Sequence, residues 1–240
     1  MTELIKKILF TTMLVTSVPV NAASIISNDS LIRVNYNVVD AFGVTITDEI
    51  NTNATLQENE FLANQEISFD SSQFEDVRVQ GASGSAEAKQ SSFYNTDQFS
   101  GSGNATSEVV DPFFNLFFWD VTAESKVDLT FEIETDHTYT LSADLFANLN
   151  SDVGLLFDGH STTESGSYLF SGNLAAGRHS LTIVAFSDSF NTTTLMNSSF
   201  NYDLKLTEVS AVPVPAAFWL FCSGLMTLLV MGREGKTRRK

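Results

Sequence analysis

The stretch "KVDLTFEIE", Lys126 to Glu134, decides the fold. Val127, Leu129, Phe131 and Ile133 fall on one side of an extended chain. Lys126, Asp128, Thr130, Glu132 and Glu134 fall on the other. Strict period-2 alternation predicts a strand with one buried and one wet face, as in antiparallel sheets. The pattern recurs on either side. "TYTLSADLF" (138–146) carries Tyr139, Leu141, Ala143 and Leu145, and "FNYDLKL" (200–206) carries Phe200, Tyr202, Leu204 and Leu206. Between the first two runs, Thr135 to His137 reads as a tight hairpin connection. In "LAAGRHSLTIVAF" (174–186), Gly177 marks a turn before a strand from Ser180 to Phe186. Further short strands are predicted at 31–39, 65–70, 76–80, 116–123, 153–157 and 167–171. No long stretch between the two ends has helical periodicity. The expected fold is all-β: an antiparallel β-sandwich of jelly-roll type. Residues 81–108 hold four glycines and seven serines. They read as a long surface loop with one strand near Phe93 and Tyr94.

The two ends differ from this middle. Lys6 and Lys7 precede an apolar run from Ile8 to Val20, and Val20-Asn21-Ala22 places small residues at a cleavage position. Residues 1–22 therefore read as a secretory signal peptide, cut after Ala22 or Ala23 by signal peptidase. Residues 23–211 read as one exported domain, long enough to bury its own core. The chain's 240 residues include 13 basic and 29 acidic side chains. Seven of the basic and two of the acidic ones lie in the ends, leaving six and 27 in residues 24–211, a net charge near −21. Such a surface repels nucleic acid and anionic polymers and attracts cations. The single cysteine, Cys222, lies outside the exported domain, which therefore has no disulfide and no thiolate metal site.

No sequence motif fixes a chemistry. Gly101-Ser102-Gly103 starts a dinucleotide-binding pattern but lacks the third glycine and a following helix. His137, His160 and His179 are isolated, and His137 and His179 adjoin turns, where a solvated histidine is the ordinary case. "NLNSDVGLLFD" (148–158) has the one-three-five spacing of an EF-hand in Asn148, Asn150 and Asp152. Its glycine, Gly154, comes one place late, and Gly159 stands where the bidentate glutamate belongs. An irregular calcium site using Asp152 and Asp158 stays open beside the plain reading, a polar turn. "DPFFNLFFWD" (111–120) includes Trp119, which is either a core filler or a platform on which a sugar ring stacks. A glycan hydrolase or lyase would need paired carboxylates, and no pair can be chosen among so many acids. Asn28, Asn53, Asn104, Asn191 and Asn197 head Asn-x-Ser/Thr sequons that fit surface turns.

From Val214 to Gly232 there is no charge. These residues predict one transmembrane helix of about 28 Å, close to a hydrocarbon core of about 30 Å. Pro215 suits its first turn, and Pro213 keeps the preceding chain extended. Arg233, Lys236, Arg238, Arg239 and Lys240 hold the far end in the cytoplasm by the positive-inside rule and act as a membrane stop signal. Val212-Pro213-Val214-Pro215-Ala216, followed by this span and basic tag over 212–240, resembles the PEP-CTERM sorting signal in its VPxPA variant. Val214 replaces the usual glutamate between the prolines, Cys222 replaces a common glycine, and the tag is longer than usual. "NLAAGRHSLTIVAF" (173–186) also looks like a turn-strand frequent in sandwich domains of such proteins. The resemblance implies a Gram-negative bacterium that makes exopolysaccharide, and handling by an exosortase, a membrane cysteine transpeptidase-like enzyme. It also implies passage through the inner membrane to the envelope surface or extracellular matrix. The expected function is a non-enzymatic surface or matrix protein associated with exopolysaccharide. A carbohydrate-binding module, with or without calcium, is the alternative, and a polysaccharide-acting enzyme is third.

Overall fold

The structure is a computed structural model, and it describes residues 23–40, 43–54, 60–73, 81–111, 116–191 and 193–209. The signal peptide, the strand predicted at 76–80, the sorting motif, the 214–232 span and the basic tail lie outside the described residues. Among the described residues no helix is long and apolar enough to cross a membrane.

Thirteen strands are described: β1 (Ser24–Asn28), β2 (Leu31–Asp40), β3 (Thr45–Asn53), β4 (Glu60–Asp70), β5 (Ser83–Tyr94), β6 (Gln98–Val110), β7 (Leu116–Ile133), β8 (His137–Ala147), β9 (Ser151–Phe157), β10 (His160–Thr162), β11 (Gly166–Leu174), β12 (Gly177–Asp188) and β13 (Met196–Glu208). They form two antiparallel sheets, consistent with a β-sandwich. One runs β10-β9-β12-β7-β2-β3, with β1 also paired to β7; the other runs β11-β8-β13-β6-β5-β4. Every alternating run read from the sequence is a strand whose apolar side is buried. Val127, Leu129, Phe131 and Ile133 are each at most 1 % exposed.

Thr135 to His137 is not a hairpin. It carries the chain from β7 in one sheet to β8 in the other. Alternation tells a strand which face to bury, not which sheet to join, because both sheets bury into one core. His137 is fully buried rather than solvated, and its Nδ1 lies 2.7 Å from the Thr135 carbonyl oxygen, closing this arch. The true two-residue hairpin joins β9 and β10 through Asp158 and Gly159. Their φ angles of 44° and 80° suit a type I′ turn, which Asp-Gly favours.

The largest correction concerns 81–108. These residues are not a loop but most of β5 and β6, the inner strands of the six-stranded sheet. Apart from Gln90, Val109 and the rings of Tyr94 and Phe99 beside the connecting turn, their buried inward positions are small: Gly84, Ala86, Ala88 and Ser92 on β5, and Gly103, Ala105 and Ser107 on β6. Larger rings from paired strands fill the space above the glycines. Phe69 lies over Gly84 and Phe200 over Gly103, each directly opposite in register. An aromatic ring covering a cross-strand glycine restores the packing that glycine lacks. Polar inward groups meet one another. Ser125 donates to Gln90 Oε1 at 3.4 Å, Gln90 Nε2 donates to Ser92 at 3.3 Å, and Ser189 donates to Ser107 at 3.1 Å. A Gly/Ser-rich stretch is a loop only if nothing larger packs on it. Here the bulk comes from β4, β13 and the facing sheet.

At one end of the core the filling is aromatic. Tyr94, Phe99, Phe131, Phe157 and Tyr139 follow one another at centroid distances of 6.3, 4.8, 6.5 and 5.1 Å, passing from one sheet to the other and back. This spine and the small-residue seam beside it fix the two sheets face to face. The outer faces are left to water and ligands.

Candidate functional site

The outer face of the six-stranded sheet carries a hollow of about 700 Å³. Four strands contribute: Leu62 and Asn64 from β4, Lys89 and Ser91 from β5, Ser102 and Asn104 from β6, Ser199 and Asn201 from β13. These are the outward halves of the same alternation that buries Ala86, Gly103 and Phe200 beneath. Asn104 is held in place, because its Nδ2 donates to Asn197 Oδ1 at 2.9 Å across the β6–β13 ladder. Ser199 and Asn201 also line a second hollow of about 410 Å³ with Asp144, Phe146, Ser165, Gly166 and Ser167. The two hollows therefore meet at β13 and together span the sheet from β4 to β11. Amides and hydroxyls dominate the lining. Lys89 is the one charged residue of the larger hollow, and its ammonium is paired with Glu87 at 2.5 Å. On a domain with 27 acidic residues, the larger hollow is lined by no carboxylate, while Asp144 lines the smaller one.

Aromatic rings flank it. Phe93 on β5 and Phe146 on β8 are each 49 % exposed on this face. Trp119 is elsewhere: it is buried in β7 of the other sheet, 8 % exposed, and cannot present a ring face to a sugar. Its backbone N–H donates to Asn191 Oδ1 at 3.2 Å. The sequence points to Trp119 because it is the domain's largest ring. Only the register shows that the smaller phenylalanines have the open faces.

Asp152 and Asp158 are not brought together. They sit at the two ends of β9, with six residues' rise between them, about 20 Å. Asp152 instead lies among acids from neighbouring strands, because it pairs with Phe186 of β12. Asp152 and Asp188 line a hollow of about 350 Å³ with Asn150, Phe186 and Phe190. Burial raises the Asp188 carboxyl above its usual range, and the negative charges of Asp120 and Asp152 raise it further. A hydrogen bond from the Phe190 N–H partly opposes them. Asp120 is raised by burial as well. No group of three or more His, Cys, Asp or Glu residues at metal-binding spacing occurs among the described residues.

The raised Asp188 has a sign that can be checked. Folding favours its protonated form, so its ionisation opposes folding at neutral pH. That penalty is relieved as pH falls through the raised folded value toward the ordinary carboxylate range. Asp188→Asn is expected to raise the melting temperature at pH 7, by roughly 1–3 °C for a domain of this size. The gain should shrink on acidification and vanish near the ordinary carboxylate pKa. Thermal melts of both proteins across that range check it.

The histidines stay apart. His179 Nε2–H donates to the Ala175 carbonyl oxygen at 2.9 Å, and His160 stacks on Phe170 at 4.7 Å. The sequons are not all on turns. Asn28 is 3 % exposed and bound to its own backbone neighbour, and Asn104 and Asn197 lie on strands β6 and β13.

No protein-family model matches this chain, and no curated protein matches it. Among solved structures, a GH31 alpha-xylosidase from Xanthomonas citri is similar at 9 % identity with a TM-score of 0.18. The match covers 77 % of this chain and 27 % of that enzyme, so the chain spans about a quarter of the enzyme's length.

Proposed function

We propose that this is an exported, non-enzymatic surface or matrix protein that holds a neutral glycan across the outer face of its six-stranded sheet. The observation that carries the reading is the carboxylate-free hollow of about 700 Å³ lined by Asn64, Ser91, Ser102, Asn104, Ser199 and Asn201. Amide and hydroxyl groups match the alternating donors and acceptors of sugar hydroxyls, while the exposed rings of Phe93 and Phe146 offer apolar faces to the sugar C–H groups. A lining with no carboxylate, whose one charged residue Lys89 is paired with Glu87, also lets a polysaccharide approach a domain whose remaining surface is strongly acidic. The winding of the chain, alternating between sheets from β6 to β9, fits the jelly-roll expectation. Export rests on the N-terminal signal. Sorting to the envelope or matrix rests on the resemblance of residues 212–240 to an exosortase substrate.

The test is binding of the purified protein to an array of neutral and acidic polysaccharides, including the host's own. Neutral glycans should bind. Asn104→Ala should weaken binding about five- to tenfold, the worth of one lost hydrogen bond in a mostly desolvated site. Phe146→Ala should weaken it by a similar factor if a sugar ring stacks there. A folded protein that binds no neutral glycan, or binds equally well after both substitutions, would remove the reading.

A further inference from the structure

We infer that the ligand of the six-stranded face is a single unbranched, neutral glycan of extended pyranose units, lying across the strands with about one sugar per strand. This rests on the reading of the face as a glycan site, and adds the direction, width and length of the bound chain. The ladders joining β11, β8, β13, β6, β5 and β4 run without a register shift, so outward side chains line up in rows across the sheet. One row reads Ser167, Asp144, Asn201, Ser102, Ser91 and Leu62, from β11 to β4. The row beside it reads Phe146, Ser199, Asn104, Lys89 and Asn64, from β8 to β4. These two rows are the floor of both hollows. Hydroxyls and amides make up most of them. Their charges are Asp144, whose Oδ1 accepts from Ser167 at 2.5 Å, and Lys89, which is paired with Glu87.

The rows on either flank differ. Glu60 and Asp203 lie on one, in line with Phe93, Ser100 and Ser142. Glu66 and Glu87 lie on the other, in line with Thr106 and Asn197. Carboxylates therefore border a lane that runs at right angles to the strands. Outward side chains repeat along a strand at about 6.7 Å, so a lane two rows wide takes one sugar ribbon and not two side by side. Strands lie about 4.8 Å apart, which makes the lane about 24 Å long from β4 to β11. An extended, equatorially linked pyranose advances its chain by close to one strand spacing. Each sugar then meets the hydroxyl or amide of a new strand, in step. A glycan coiled by axial links falls out of step after a few units. Sheet twist turns successive strands by about 20–25°, which a single chain follows by rotating about its glycosidic bonds and a rigid crystalline stack cannot. Leu62 and Phe146, both exposed, set apolar contacts for sugar C–H groups toward the two ends of the lane.

The experiment is calorimetric titration of the full-length protein in detergent. The probes are β-1,4-linked oligomers of glucose, mannose and N-acetylglucosamine, two to six units long, and α-1,4-linked glucose oligomers of the same lengths. At least one β-linked series should bind, with affinity rising about two- to tenfold for each added unit up to about five, since each unit adds hydrogen-bonded groups. The α-linked series should stop gaining after two or three units. Ser102→Tyr obstructs the middle of the lane and should bring the six-unit ligand back to about the affinity of a three-unit one. Ser100→Tyr, two residues away on the same strand but in the flanking row, should leave binding unchanged. A chain lying along β6 would be hit by both. Full affinity already at two units, equal gains for the α-linked series, indifference to Ser102→Tyr, or equal loss with Ser100→Tyr would each overturn the lane while leaving neutral-glycan binding in place. A protein that binds none of the β-linked series would remove the lane and the glycan reading together.

Discussion

Gly103→Val is expected to destroy the native sandwich, whereas Ser102→Val next to it is expected to do little. Gly103 faces inward on β6. A Cβ built there would overlap the ring of Phe200 on β13 and the Ser125 hydroxyl of β7, which comes from the facing sheet. Both neighbours are trapped. Phe200 is 1 % exposed and Ser125 fully buried, so neither side chain can swing into water. Overpacking a close-packed interior costs about 1–3 kcal/mol when neighbours can shift, and more when backbone must move. Valine adds three carbons where the first already collides, so a cost of about 3 kcal/mol or more follows. That is a large share of a stability of roughly 5–15 kcal/mol. Melting should fall by about 6–12 °C, or the protein should be recovered only as aggregate. Ser102 points the other way, into the outer hollow, and surface changes of that kind stay within about 0.5 kcal/mol. A loop would treat the two substitutions alike. Equal melting of both variants would mean that residues 98–110 are not a strand of the core.

The contrast between Gly103 and Ser102 also shows where sequence reading stops. Runs such as Val127-Leu129-Phe131-Ile133 announce themselves because each inward residue carries its own bulk. β5 and β6 alternate just as strictly, but over 84–92 and 103–107 their inward residues are, Gln90 apart, glycine, alanine and serine. The bulk that completes them sits on Phe69 and Phe200, 15 and 97 positions away along the chain. Only the register joins the halves. The same limit governs the site. The groove's Asn64, Ser91, Asn104 and Asn201 lie on four strands and form no motif in any window of sequence. Conversely, Asp152 and Asp158 look adjacent in sequence, yet an extended strand holds them about 20 Å apart. Trp119 had the right chemistry for sugar stacking and the wrong face, since residue type does not reveal which side of β7 is covered.

The largest effect on location is expected from the C-terminal residues, on the proposed reading that 212–240 is a sorting signal. Three parts should fail in three ways. Pro213 and Pro215 lack N–H groups, and Pro215 confines the residue before it to extended conformations, so the motif at Val212–Ala216 should stay out of the helix. Pro213→Ala with Pro215→Ala should let helix propagate outward and hide the junction. The protein should then accumulate uncut in the inner membrane. Neutral residues in place of Arg233, Lys236, Arg238, Arg239 and Lys240 should weaken the stop signal instead. A span of about 28 Å with no cytoplasmic charge to hold it should slip through, releasing full-length chain to the periplasm. The unaltered protein should be recovered at the surface shortened at its C-terminus, and only in cells with an active exosortase. Each outcome is close to all-or-none, because a chain is either cut or not, and intact mass distinguishes them directly. Surface-located protein that still ends at Lys240 would mean the segment only anchors. Shortened protein in cells lacking exosortase would mean that another protease makes the cut.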